Sequence, residues 1–219
     1  MQRLLRLLQL NSPSLPIGAY AYSQGLEAAI SQGKLSGIEQ MASWLKLLLL
    51  HSLAKNDLPV IVQAYPLWKN ENYAELNRLA ATGRALRETE ELLQEDTHLS
   101  RALQRLAEPM GVPIGDELIR KSSFPVIYAR FAQYWQIDLQ DALTAFAWSW
   151  MENQIASLLK LSPVGQTSAQ VLMMQMDDTV LQAVKIAQEL PKNQLGMSLP
   201  AYAILSAQHE IQYSRLFRS

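Results

Sequence analysis

The chain has 219 residues with 19 Lys and Arg against 20 Asp and Glu, a formal net charge of −1, which excludes the pervasive basic field of a non-specific nucleic-acid binder. It has no cysteine, so disulfides, thiolate metal sites and a cysteine nucleophile are excluded. Only 18% of its residues are charged and 49% are hydrophobic. A chain this long buries a core without crosslinks, and one this poor in charge is expected to have part of its surface covered by partners.

In chain order, Arg3 and Arg6 among leucines, followed by Ala19-Tyr20-Ala21, imitate a signal peptide. Arg6 splits the leucines, and Asn11-Ser12-Pro13 ends the apolar region too early for one, so a cytoplasmic chain is expected. The longest dense apolar run, Trp44 to Leu50, holds Lys46 and falls short of the ~20 residues a membrane span requires. Residues 11–22 hold two prolines, a glycine and two tyrosines and read as an extended connector. Ser36 and Glu39 form a capping-box pattern before Ile38, Met41, Leu45, Leu48 and Leu49. Asp57 with Pro59 opens a further helix, which Pro66 ends or kinks. Tyr73 to Arg105 reads as one long helix or two, with Gly83 as the joint. Asp116 to Gln136 reads as helical on both sides of Pro125. Asp138 is the expected N-cap of a helix carrying Leu139, Ala142, Leu143, Phe146, Trp150, Ile155, Leu158 and Leu159. Thr167 to Leu190 is one helix stopped by Pro191, and its cluster of Met173, Met174 and Met176 suits core and interface packing. Pro200 starts a last helix towards Ile211, and residues 212–219 form a tail. No stretch alternates at period two. The fold class predicted is all-α, a single-domain bundle of roughly eight to ten helices over residues 1–219.

The catalytic templates fail. The only Gly-Lys, Gly33-Lys34, has Ala28 where a P-loop needs its first glycine and Leu35 where it needs Ser or Thr. His51, His98 and His209 are far apart in sequence, each without a second histidine at helical spacing, so an ordinary packing role is expected for each. The run Arg84, Arg87, Glu88, Glu90, Glu91, Glu95 reads either as a solvated face with Arg84–Glu88 and Arg87–Glu91 pairs or as a charged docking face. The tail joins Arg215, Leu216, Phe217 and Arg218 with no acid, residue types that anchor interfaces; a frayed terminus is the other reading. Tyr20 and Tyr22 are either core residues or anchors beside that tail.

Four blocks carry a family resemblance. They are Leu10 to Ala28 (LNSPSLPIGAYAYSQGLEA), Thr82 to Leu92 (TGRALRETEEL), Trp150 to Thr167 (WMENQIASLLKLSPVGQT) and His209 to Ser219 (HEIQYSRLFRS). In this order, on an all-α chain, they resemble the urease accessory UreF family. Leu86-Arg87-Glu88-Thr89 departs slightly from the Lys-Glu-Thr run common there.

The resemblance implies a non-catalytic urease maturation factor, a homodimer that binds no nucleic acid and no membrane. It implies partners UreD (also called UreH) and the GTPase UreG, and apo-urease through their complex. It implies no tightly bound cofactor: nickel passes through the complex, and GTP and Mg are bound by UreG. The residues it points to for partner binding are Tyr20, Tyr22, Ser23, Gln24, Gly25 and Glu27, then Arg84, Arg87, Glu88 and Gln154, then Tyr213, Arg215, Leu216, Phe217 and Arg218. The tail is expected to order when UreD binds, presenting Arg215 beside Tyr20 and Tyr22 as a platform for UreG. The alternative is a GTPase activator, with Arg84, Arg87 or Arg215 as an arginine finger or Gln154 orienting water. A stand-alone helical protein with an apolar ligand pocket is the reading that sets the resemblance aside.

Overall fold

Apolar side chains at three- and four-residue spacing coil the chain into helices that share one core. The computed structural model describes residues 1–115 and 121–219. Among these are eleven α-helices: α1 Gln2–Leu10, α2 Leu26–Ser31, α3 Ile38–Leu48, α4 Asp57–Lys69, α5 Tyr73–Ala85, α6 Glu90–Ala107, α7 Phe124–Tyr134, α8 Leu139–Leu161, α9 Gln166–Gln175, α10 Asp177–Glu189 and α11 Pro200–Glu210. The described residues contain no strand, and no helix among them is long and apolar enough to cross a membrane.

The centre is α4 against α7. Both are apolar nearly all round, as a helix enclosed by others must be: α4 buries Leu58, Val60, Ile61, Ala64 and Trp68, and α7 buries Val126, Ile127, Tyr128, Ala129 and Phe131. The Trp68 indole N–H donates to the Val126 carbonyl at 2.8 Å, so its polar atom is satisfied inside the core. Helices α5, α8 and α10 pack around α4, and α6 lies on α7. The long α8 runs on to support residues 19–25, and α11 crosses both α2 and α6.

Several boundaries differ from the sequence reading for identifiable reasons. The joint between α5 and α6 falls at Leu86–Thr89, not at Gly83. Thr89 is extended and its hydroxyl accepts from Leu92 N–H, a capping bond that starts α6 afresh. Gly83 lies inside α5, where a Cβ would come within 2.9 Å of the Ser123 hydroxyl, so its smallness serves packing. Pro66 does not end α4, which continues to Lys69. The Ser36–Glu39 capping box does not form: Gly37 is the N-cap, and Ser36 donates instead to the Gln40 side chain through N–H and hydroxyl. Asp138 is at the N-cap of α8, but its side chain makes no capping bond. Pro125 stands in the first turn of α7, residues 121–123 are not helical, and the rest of the expected helix, residues 116–120, lies outside the described residues. The segment expected over Thr167–Leu190 is two helices, parted at Met176. Residues 11–22 are a chain of turns with a 3-10 turn at Ala19–Ala21, not an extended connector.

Candidate partner-docking site around residues 212–219

Gln24 and Gly25 both take positive φ, 52° and 77°. This left-handed pair swings the chain off the connector into α2, and glycine is needed at the second position because the left-handed well crowds a Cβ. A Cβ at Gly25 would also meet Ser206 backbone N at 3.4 Å, where α11 crosses. The turn sets Glu27 on α2, pointing into the protein and buried.

One face of α8 holds the carbonyls of this turn. Asn153 Nδ2 donates to Tyr22 O at 3.0 Å, Gln154 Nε2 to Ser23 O at 3.2 Å, and Trp150 Nε1 to the Gln24 side chain at 2.7 Å. Tyr20 donates to Glu152 at 3.3 Å, and burial with that carboxylate pushes its hydroxyl up to about 12. The Tyr22 hydroxyl meets His98 Nδ1 at 3.0 Å.

Residues 215–219 return onto this platform. Glu27 accepts Leu216 N–H at 2.8 Å and Phe217 N–H at 2.9 Å. Arg215 Nη1 donates to Glu91 at 2.7 Å. Arg218 N–H donates to Ala21 O at 2.8 Å, and Ser23, through both N–H and hydroxyl, donates to Ser219 O. Phe217 is buried, with Lys160 Nζ 5.4 Å from its ring centre. His209 on α11 is fully buried between two carboxylates, Nε2 at 3.2 Å from Glu27 and Nδ1 at 2.8 Å from Glu91. Further along α6, Glu95 accepts from Gln24 at 2.7 Å and from the Ser219 hydroxyl at 3.2 Å. Burial pushes the Glu95 carboxyl up to about 7, against the opposing pull of Gln24, Arg87 and Ser219. Leu216 and Tyr213 point outward, 63% and 106% exposed, and the Arg215 side chain is 41% exposed. A groove runs between Tyr22, Gln94, His98, Arg215 and Arg218.

The structure therefore brings together Tyr22, Ser23, Gln24, Gly25, Glu27, Gln154 and the tail residues Arg215 to Arg218. Ser23, Glu27, Gln154 and Phe217 are buried there and engaged within the chain. Arg84, Arg87 and Glu88 are elsewhere, and neither expected i,i+4 pair forms, because the helix breaks between their members. Arg84 donates to Thr97 at 2.7 Å. Arg87 is clamped by Asp57 at 2.6 Å and Asp96 at 2.9 Å. Burial works against the Arg87 charge, but those two carboxylates outweigh it and hold the guanidinium above its ordinary range. Glu88 accepts from the Ser198 hydroxyl and from Leu199 N–H at 3.5 Å. The sequence reading places Glu91 and Glu95 only in a charged run, solvated or docking, Trp150 only on the apolar face of its helix and His209 in ordinary packing, and it gives Asn153 no role. The available signal was the spacing of Glu91 and Glu95, which share a face of α6 with the buried Leu92 and Leu99. Among the described residues, no group of three or more His, Asp or Glu is arranged to hold a metal ion.

The sequence model of the UreF family matches residues 35–177. The urease accessory protein UreF of Hahella chejuensis is 40% identical over 217 residues, covering 99% of this chain and 98% of that protein. Proteins of the same description from Teredinibacter turnerae and Marinomonas sp. are 43% and 42% identical, each over 99% of this chain and over 99% and 94% of their own lengths. The chain belongs to the UreF family. The similarity extends beyond the matched segment, reaching 99% of this chain.

Proposed function

We propose that this chain serves urease maturation as a scaffold without catalysis of its own. In this reading it works as a homodimer that bridges UreD/UreH to the GTPase UreG and couples GTP hydrolysis to nickel delivery into apo-urease. Nickel is cargo passing through the complex, and GTP with Mg is bound by UreG. The observation that supports this best is the tail: its Phe217 is anchored inside, while exposed Tyr213 and Leu216 and half-exposed Arg215 are left at the solvent edge of the site. Aromatic, leucine and arginine side chains left exposed beside a buried anchor are what a protein partner needs for a centre of contact. Arginine at this edge offers a carboxylate a two-pronged grip that lysine does not. The test is light scattering after size exclusion, with UreD and UreG added in turn to wild type and to Arg215→Ala. Wild type is expected to retain UreG only with UreD present. The variant should keep UreD and lose UreG affinity by about 30-fold, as for loss of an interface hot spot. Undiminished UreG retention by the variant would overturn the reading.

The exposure of Arg215 also favours a second reading, activation of the GTPase by an inserted arginine. A finger contributes ~10³–10⁵ in rate. Arg87, held by two carboxylates, is a poor candidate beside it. Single-turnover hydrolysis by UreG, measured at concentrations of each variant that saturate UreG binding, separates the readings: a finger requires Arg215→Lys to be as defective as Arg215→Ala, whereas equal rates with Lys and Arg leave only docking.

A further inference from the structure

The two carboxylates that hold the tail come from different helices, Glu27 from α2 and Glu91 from α6, and both are buried. They flank one imidazole. Two ionised carboxylates that close in a water-poor site repel each other and are costly to desolvate. We propose that His209 is the positioning residue of the tail: its ring, with a hydrogen on each nitrogen, holds Glu27 and Glu91 at the spacing at which they receive the tail.

The hydrogen-bond inventory carries this. Glu27 Oε1 accepts Leu216 N–H, and Oε2 accepts Phe217 N–H and lies 3.2 Å from His209 Nε2. Glu91 Oε1 accepts Arg215, and Oε2 lies 2.8 Å from His209 Nδ1. Three of the four carboxylate oxygens are thus occupied by donors whatever the ring carries, and the fourth, Glu91 Oε2, faces Nδ1. A neutral ring has one N–H and would set its bare nitrogen against a carboxylate oxygen. With both nitrogens protonated, the ring and Arg215 balance Glu27 and Glu91 charge for charge. A further acid at the cluster, Glu210, accepts Glu91 backbone N–H at 3.2 Å. The placement is also economical in chain: His209 is in the last turn of α11, and the segment leaving that turn doubles back onto the carboxylates beside its own root.

For its consequence on partner recruitment this inference rests on the scaffold reading; the pose of the tail is measured without any partner. The experiment is amide hydrogen exchange on the full chain, wild type against His209→Gln. Leu216 and Phe217 amides should exchange at least about tenfold faster in the variant, the loss expected when charge-assisted bonds are broken. Core amides of α4 and α7 should stay unchanged, which a merely structural role would not allow. Equal protection of the tail in both proteins, or a uniform loss across the core, overturns the inference. Nitrogen NMR of the wild-type ring decides independently, and suffices if the variant does not fold. Two ring N–H signals are expected, and a bare ring nitrogen overturns the assignment. If the tail loosens while UreG recruitment with UreD is unimpaired, His209 keeps its role and the scaffold reading fails.

Discussion

Glu95 shows how a single side chain ties the tail to the core. It sits on α6, buried, receiving Gln24 from the left-handed turn and the hydroxyl of Ser219. Burial lifts its carboxyl from the usual range to about 7. The folded chain therefore binds a proton on Glu95 that the unfolded chain has already released between about pH 4.5 and pH 7. Across that window the contribution of Glu95 falls as pH rises, and above pH 7 the protein carries the full cost of an ionised buried acid. Glu95→Gln, which copies the protonated acid, should match wild type in thermal stability near pH 4.5 and exceed it near pH 8. A difference between the two proteins that does not grow with pH would contradict this account. Much of the site was legible at this scale as composition but not as geometry. The tail and the Tyr22–Glu27 turn announced themselves through interface residue types and a Pro- and Gly-rich segment. Glu91 and Glu95 stand out only as members of a charged run, with a solvated face as the rival reading, and His209 not at all, because acids on a helix ordinarily face water and a lone histidine ordinarily packs. Only tertiary crossing of α2, α6 and α11 makes them one cluster.

At the scale of elements, helical periodicity made the all-α architecture and most helix positions readable, while the breaks were set by contacts no local pattern encodes. Arg87 illustrates this. Read along α5–α6 it should pair with Glu91 one turn on; instead the chain leaves the helix at Leu86 so that Arg87 reaches Asp57 on α4 and Asp96 on α6. Asp96 also accepts Phe124 N–H at 3.1 Å, so this one cluster links α4, α6 and the start of α7. The α4–α7 pair beneath it is the stability element. Trp68 is buried there, with its indole on Val126 O and the Arg130 guanidinium 5.1 Å from its ring centre. Trp68→Ala removes that volume, strands the Val126 acceptor and should cost about 3–5 kcal/mol. For a chain of this size that lowers the melting temperature by on the order of 10 °C, measurable by calorimetry. A loss under about 2 °C would mean that the helices repack without it.

At the scale of the whole molecule, the docking site is assembled from parts widely separated in the chain: the turn at 22–27, the start of α6, the middle of α8, the end of α11 and the tail. The core stands without the last of these. Docking buries Phe217, worth about 1.5–3 kcal/mol, makes four hydrogen bonds to buried carboxylates, from Leu216, Phe217, Arg215 and Ser219, each worth about 1.5–3 kcal/mol, and adds the bonds of Arg218 to Ala21 and of Ser23 N–H and hydroxyl to Ser219, each worth about 0.5–1.5 kcal/mol. Fixing the backbone of residues 212–219 costs about 1–2 kcal/mol per residue, a total that nearly cancels the gain. The tail is thus poised: ordered on its own chain by a narrow margin, with Leu216 and Tyr213 left outside for a partner to cover and so deepen the docked state. A chain ending at Ile211 should keep one cooperative unfolding transition, its midpoint within about 5 °C of wild type. In the intact protein, tail amides should exchange through local opening far faster than those of α4 and α7. A truncated chain that fails to fold, or tail amides as protected as the core, would show that residues 212–219 belong to the folding unit itself and are not poised for a partner.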